Sequence, residues 1–272
     1  MQAYEIITSR QNSLLIEMHK LTDRKHRTRS GLFRFDGVKL ASEALSRNVK
    51  LYAVLLRQSD SEAVVKRIFS LCQKDFSPGT RVVCVADHVF DSLSEESAPE
   101  GVMCMAHMQE EIHSAWQKTP PTDERVMLLE AVRDPSNLGA IIRSAAAFGV
   151  DRLIMSGDCA DIYNAKTVRA SMGTLFSQRI DRTDDLATAI EALRASGRRV
   201  FAAALDEKAA RLGDFPIERG DCAVIGNEGH GLSARVIKAC GRTVYIPMTG
   251  RAESLNAAVA ASVLMWSFSR EI

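Results

Sequence analysis

Short runs of consecutive apolar residues alternate along this chain with segments whose apolar positions recur every three or four residues. In the first half, Leu51–Leu56 (LYAVLL), Arg81–Val85 (RVVCV) and Val102–His107 (VMCMAH) read as short buried strands. Between them, Asp60–Lys74 places Val64, Ile68 and Leu71 at helical spacing. In the second half, strands are expected at Val126–Val132, Arg152–Met155, Arg199–Leu205, Ala223–Gly226 and Val244–Pro247. Helical patterns fall between them at Leu138–Phe148, Asp184–Ala195, Leu232–Cys240 and Ser254–Phe268. Continuous apolar strands separated by helices predict a mostly parallel sheet covered on both faces, an α/β fold in each half.

The conspicuous break is Lys118-Thr-Pro-Pro-Thr-Asp-Glu124, where adjacent prolines force extended backbone and stop a preceding helix. It predicts a first domain over 1–115, a linker over 116–125 and a second domain over 126–272. Both pieces are of ordinary domain size.

Composition changes this picture little. With 46% hydrophobic and 25% charged residues in a chain of 272, collagen, disorder and low complexity are excluded. The longest largely apolar stretch, Ala257 to Phe268, is too short to span a bilayer, and the first residues lack an apolar signal core. No membrane association and a cytoplasmic location are expected. The cysteines, Cys72, Cys84, Cys104, Cys159, Cys222 and Cys240, form no CxxC pair, and the histidines supply neither HxH nor HExxH spacing. Reduced, buried thiols and no metal site are expected.

Net charge is +1 and argues for no partner, but its distribution says more. Lys20, Arg24, Lys25, Arg27, Arg29 and Arg34 face the single acid Asp23 in one short stretch. Such clustering suits phosphate neutralisation, whereas a solvated helix end would look the same in isolation.

In open α/β sheets, ligands bind beyond the carboxyl ends of the strands, so the segments that follow strands need the closest reading. Asp134-Pro-Ser-Asn-Leu-Gly-Ala-Ile-Ile-Arg143 opens a helix for which Asn137 is a candidate N-cap. Arg143 stands among apolar neighbours, and periodicity leaves a structural ion pair and a phosphate contact equally open. Gly226-Asn-Glu-Gly-His-Gly231 joins a buried strand to a helix with three glycines in six residues, which permits close backbone approach to a ligand. It matches neither GxGxxG nor the P-loop. Glu228 would repel phosphate there and suits a cation or a ribose hydroxyl, while His230 reads as a loop residue. Ile246-Pro-Met-Thr-Gly-Arg-Ala-Glu-Ser-Leu-Asn256 runs into an alanine-rich helix, with Ser254 a candidate N-cap and Asn256 in the first turn.

In order, NLGAIIRSAAAFG, VIGNEGHGLS and IPMTGRAESLNAAVA closely resemble the motifs of the SpoU (TrmH-like) family of RNA ribose 2′-O-methyltransferases, within the SPOUT superfamily. YNAKTVRASMGTLF, at 163–176, is similar to the segment that follows the first motif. The stretch from Ser9 to Leu45 resembles the ribosomal-protein-L30e-like substrate domain of many members, with Asp36-Gly37 where Glu-Gly is usual.

The resemblance implies a C-terminal, trefoil-knotted SPOUT methyltransferase domain with a mostly parallel sheet, preceded by a smaller α/β L30e-like domain. It further implies S-adenosylmethionine (AdoMet) as cofactor and a homodimer with active sites near the subunit interface. By family pattern the cofactor pocket is lined by Ala204, Leu205, Gly226, Asn227, Gly229, Ile246, Met248, Leu255 and Ala258. Arg143 is expected to bind the RNA phosphate and steer the ribose hydroxyl, with Asn137, Glu228, Ser254 and Asn256 orienting it, the ribose and the cofactor. The cationic stretch, with Lys166 and Arg169, becomes an RNA contact.

The activity implied is AdoMet-dependent 2′-O-methylation of structured RNA, 23S ribosomal RNA being favoured by the L30e-like module. The alternatives are a tRNA ribose 2′-O-methyltransferase and a noncatalytic RNA-binding protein on the same scaffold. An NAD-type dehydrogenase would need the GxGxxG that is missing after the first strand.

Overall fold

The computed structural model describes residues 4–94, 98–227 and 229–269, and these fall into two compact units. Unit 1 comprises Met1–Gln109 together with Asp161–Phe176; unit 2 comprises Glu110–Ala160 and Ser177–Ile272. The chain therefore passes between the units at three points.

Unit 1 contains β1 (Glu5–Ile7), α1 (Ser13–Lys20), α2 (Arg24–Ser30), β2 (Leu32–Asp36), α3 (Val38–Ser46), β3 (Leu51–Arg57), α4 (Ser61–Cys72), β4 (Arg81–Val85), α5 (Asp87–Leu93) and β5 (Val102–His107). The sheet order is β1-β4-β3-β5-β2, with β1, β4 and β3 parallel and β5 antiparallel to both its neighbours. The sheet is mixed because β5 runs against β3, and β2, a strand that the apolar pattern did not mark, pairs along β5 at the edge. Side-chain caps fix the two short helices: Asn12 accepts from Leu14 N, and Asp23 accepts from His26 N.

In unit 2, β6 (His113–Ala115), β7 (Val126–Leu129), α6 (Pro135–Ala147) and β8 (Arg152–Ser156) precede the excursion into unit 1. That excursion carries α7 (Ala165–Ala170) and a 3-10 turn at Thr174–Phe176. It packs on its own unit through Phe33 against Tyr163 (ring centroids 4.7 Å apart) and Phe35 against Phe176 (5.3 Å). The chain returns as β9 (Arg179–Thr183), α8 (Leu186–Ala195), β10 (Val200–Ala203), β11 (Ala210–Arg211), β12 (Cys222–Ile225), α9 (Ala234–Cys240), β13 (Gly241–Tyr245) and α10 (Ala257–Phe268).

These strands form one sheet, ordered β11-β13-β10-β12-β7-β8-β9-β6, in which every pairing is parallel. Alternate strand residues face opposite sides. Val126, Leu128, Ile154, Val200 and Val224 pack with Ile190 and Leu193 of α8 and Val236 of α9. Phe201, on the other side, meets Phe268 of α10 edge-on at 5.9 Å. Helices thus cover both faces, as continuous apolar strands demand.

The Pro120-Pro121 stretch is pinned within unit 2. Trp116 N donates to Arg182 O (2.8 Å), and the Arg198 guanidinium donates to the carbonyls of Pro121 and Glu124. The strand expected at 244–247 begins instead at Gly241, directly after α9, because Gly241 (φ 70°) reverses the chain in place.

Candidate active site

The carboxyl ends of β10, β12 and β13 open onto a cleft of about 530 Å³. Its walls are Ile225, Leu232, Ile237, Val244, Ile246 and Leu255, with Tyr245 and Met248. Among the described lining residues Glu253 is the one carboxylate, and no lysine or arginine is present. Glu253 is exposed and makes no ion pair or hydrogen bond among the described residues, so the cleft carries a free negative charge.

The turn after β12 is a tight backbone knuckle. Asn227 N donates to Gly231 O (3.1 Å) and Gly231 N to Asn227 O (2.9 Å). The Asn227 side chain accepts from Gly229 N (2.9 Å) and His230 N (3.2 Å), and its amide donates to Ala131 O (2.9 Å). A Cβ on Gly226 would lie 2.5 Å from the Gly231 carbonyl, so only glycine fits. The loop after β7 supports this turn from beneath. Ala131 adopts φ 53° there, and Glu130 accepts from Ser233 Oγ (2.6 Å) and Ser233 N (2.8 Å) at the start of α9. Neither Glu130 nor Ala131 was singled out by sequence, since both look like the end of an apolar strand.

Both candidate N-caps are displaced. Asp134 caps α6, accepting from Asn137 N (2.8 Å), with Pro135 in the first turn. Asn256, not Ser254, caps α10, accepting from Ala258 N (2.9 Å) and Val259 N (3.3 Å). The two asparagines also meet: Asn256 Nδ2 donates to Asn137 Oδ1 at 3.0 Å. Ser144 and Ser262 share a second hydrogen bond along the same helix pair (2.8 Å). The edge of the cleft at Ser254 and Leu255 is therefore joined to α6, the helix that carries Arg143.

Of the expected cofactor residues, Ala204, Leu205, Gly226, Asn227, Gly229, Ile246, Met248 and Leu255 line the cleft, as does Ser254. Ala258 does not; it is buried in the first turn of α10. Arg143 is exposed, its side chain makes no ion pair or hydrogen bond among the described residues, and it does not line the cleft of its own chain. The structural ion pair left open by periodicity is thus absent among the described residues. Glu228 lies outside the described residues. Beside the cleft, the Asp206 carboxyl is held below its ordinary range by the Thr243 side chain and by the backbone amides of Lys208 and Ala209.

The cationic stretch divides. Lys20, Arg24, Lys25 and Arg29 are exposed, and Lys20, Lys25 and Arg29 line an open cleft of about 500 Å³ at the α1–α2 corner. Arg27 and Arg34 are corrections, being 3% and 2% exposed. Arg27 donates to Asp161 (2.6 Å) and to the carbonyls of Leu21 and Thr22 (2.8 Å each), while Arg34 donates to Leu93 O (3.1 Å). Both guanidiniums serve the interior of unit 1, out of reach of a phosphate. Lys166 is exposed and Arg169 half-buried on α7.

No His, Cys, Asp and Glu grouping suited to a metal occurs among the described residues. Burial raises the thiol of Cys222 to about 11 and that of Cys240 to about 12, so both stay protonated at neutral pH. No described helix is long and apolar enough to cross a membrane.

Comparison with known proteins accords with this geometry. Residues 124–266 match the model of the SpoU rRNA Methylase family, and residues 12–104 match an MRM3-like substrate binding domain. The chain is 30% identical to the 23S rRNA (guanosine(2553)-2′-O)-methyltransferase RlmP of Bacillus subtilis, over 96% of this chain and 97% of that one. It is 31% identical to the 23S rRNA (uridine(2479)-2′-O)-methyltransferase of Streptomyces viridochromogenes, over 97% and 92%. The crystal structure of the AdoMet-bound rRNA methyltransferase from Sinorhizobium meliloti superposes with a TM-score of 0.80 at 28% identity, covering 98% of each chain. The family-model match over residues 124–266 and a relative 30% identical along nearly its whole length place the chain in the SpoU rRNA methylase family.

Proposed function

We propose that this protein transfers the methyl group of AdoMet to a ribose 2′-hydroxyl of 23S ribosomal RNA, as a cytoplasmic homodimer whose methyltransferase domain is knotted. The observation that carries the reading is the cleft beyond β10, β12 and β13, tied through Asn256 and Asn137 to the helix bearing Arg143.

The cleft suits AdoMet chemically. Apolar walls accept an adenosyl group, the Gly226 turn admits close backbone approach, and the free Glu253 carboxylate matches a ligand with net positive charge. When bound, the cofactor supplies an electrophilic methyl group on a sulfonium. The protein's part is to position the acceptor oxygen and to stabilise charge.

Arg143 is assigned to the RNA phosphate next to the target ribose. An arginine side chain is not deprotonated in proteins, so the hydroxyl proton passes to water or to a phosphate oxygen that Arg143 orders. Since Arg143 does not line its own cleft, it acts at the cleft of a partner protomer. The exposed Val259 and Trp266 of α10, with Ala146 and Ala147 of α6, supply an apolar face for that pairing. Asn137 and Asn256 hold the starts of the two helices in register. Glu228 and Ser254 are assigned to orienting ribose and cofactor. Residues 1–115 act as the substrate-binding domain, gripping RNA through Lys20, Arg24, Lys25 and Arg29, and Lys166 and Arg169 of α7 add to that grip.

Arg143→Ala is the test. AdoMet affinity by calorimetry should stay within about twofold, while single-turnover methyl transfer to 23S rRNA falls about 100- to 1,000-fold. Undiminished transfer removes Arg143 from the chemistry, and transfer confined to a tRNA pool replaces rRNA by tRNA as substrate.

A further inference from the structure

We propose that Tyr52, set edge-on to His107 and flanked by Lys50, forms a platform on unit 1 against which an unpaired base of the RNA substrate stacks. The inference rests on RNA being the substrate and adds a contact remote from the cationic stretch at α1 and α2.

The first observation is backbone geometry. In the antiparallel pairing of β3 with β5, Leu51 lies opposite Ala106 and Ala53 opposite Met105, which leaves Tyr52 with no residue across from it. This is a β-bulge, and bulges re-aim the side chain of the extra residue. Leu51 and Ala53 through Leu56 are each at most 5% exposed, whereas Tyr52 is 44% exposed. Tyr52 is the one exposed aromatic residue of unit 1 among those described. A strand that buries every neighbouring side chain thus presents one large ring to solvent. Nothing in the packing of unit 1 requires it, because the sheet is already covered by the apolar side chains around it.

The second observation is what surrounds the ring. The His107 imidazole stands 6.1 Å from it with the planes at 76°. His107 N donates to Lys50 O (3.0 Å), fixing the two residues side by side. Partial burial and the nearby Lys50 charge lower the imidazole's pKa, so His107 offers a neutral aromatic edge at physiological pH. Lys50 and Arg47, on the turn leading into β3, are exposed, and their side chains make no ion pair or hydrogen bond among the described residues.

A π-face beside uncommitted cations is the arrangement with which proteins hold single-stranded RNA: base on ring, adjoining phosphate on lysine or arginine. A paired base cannot reach such a ring, so the platform selects loops, bulges or opened ends. Arg47 and Lys50, being free, match phosphate rather than an apolar protein surface.

The test uses the full chain and two labelled probes of equal length, a roughly 12-nucleotide oligouridine and a blunt duplex RNA, followed by fluorescence anisotropy. Tyr52→Ala should weaken oligouridine binding about tenfold and leave duplex binding within about twofold, while Tyr52→Phe, which keeps the ring, should match wild type on both. Lys50→Gln should lower the salt slope for oligouridine by about one counterion. Thermal unfolding of each variant guards against misfolding. Tyr52→Ala that binds oligouridine as wild type does, or that loses both probes equally, overturns the platform. Wild-type protein that binds neither probe strikes the RNA reading itself.

Discussion

Gly226→Ala isolates the tightest point of the cleft. The added Cβ would stand 2.5 Å from both the carbon and the oxygen of the Gly231 carbonyl, and 2.7 Å from Leu232 N. Ordinary contact begins near 3.4 Å, so backbone must move by about 0.9 Å, with no flexible side chain to yield. The same backbone carries the Asn227–Gly231 hydrogen-bond pair, which must lengthen or break. Overpacking of this kind costs about 1–3 kcal/mol, and at about 2 kcal/mol the melting temperature should fall by about 4–8 °C. AdoMet affinity should fall by at least about tenfold, because a displacement approaching 1 Å is comparable to the tolerance of a binding site. Gly229→Ala is the internal control, since its nearest neighbour, Asn227 Oδ1 at 3.5 Å, is at ordinary distance. Calorimetry with AdoMet and a melting curve on both variants decide the matter. Gly226→Ala that binds AdoMet within twofold of wild type, with an unshifted melt, refutes the idea that this turn must be glycine for the cleft to form.

Three further outcomes follow from the geometry. Arg27→Ala removes one partner of a buried ion pair and should destabilise the protein by about 3–5 kcal/mol in urea unfolding, whereas exposed Arg24→Ala should change it by under about 0.5 kcal/mol; equal effects would return Arg27 to the surface. Ala131→Gly relieves a non-glycine residue at φ 53° and should stabilise by about 0.5–1 kcal/mol, read as a higher melting temperature, while a lower one would mean that the methyl group packs usefully. Glu253→Gln takes the one described carboxylate from the cleft and should weaken AdoMet, with its sulfonium cation, about fivefold more than net-neutral S-adenosylhomocysteine, a gap that closes at high salt; unchanged selectivity would show that the carboxylate points away from the sulfonium.

Legibility followed the physical origin of each element. β4 and β5 begin and end where continuous apolar runs do, because both faces of those strands are covered. β9, Arg179-Ile-Asp-Arg-Thr183, was invisible to the same rule: its Asp181 is buried with Arg152 pairing to it at 2.8 Å from the neighbouring strand and Ser114 Oγ donating to it at 3.1 Å. A residue type cannot announce a partner 29 positions away. For the same reason Arg27 and Arg34 looked like surface cations, although distant acceptors hold them inside.

The Pro120-Pro121 break follows a strand, His113–Ala115, and not a helix, and it was silent about the side chains that pin it to unit 2. Residues 163–176 were legible as a motif, yet nothing local to them showed that their aromatic rings complete unit 1. At the cleft, glycine at 226 was readable because close backbone approach demands it, whereas Asn137 and Ser254 read as caps for which Asp134 and Asn256 serve instead. Glu130 was not readable, since its role as a clamp on Ser233 exists only in three dimensions.

The central claim is methyl transfer to a ribose hydroxyl, and the product itself is its most direct test. Incubation of the protein with methyl-labelled AdoMet and unmodified 23S rRNA, followed by alkaline hydrolysis, should leave the label in an alkali-resistant dinucleotide, because a 2′-O-methyl group blocks strand scission at that position. Label released entirely as mononucleotides would place the methyl group on a base and contradict the account.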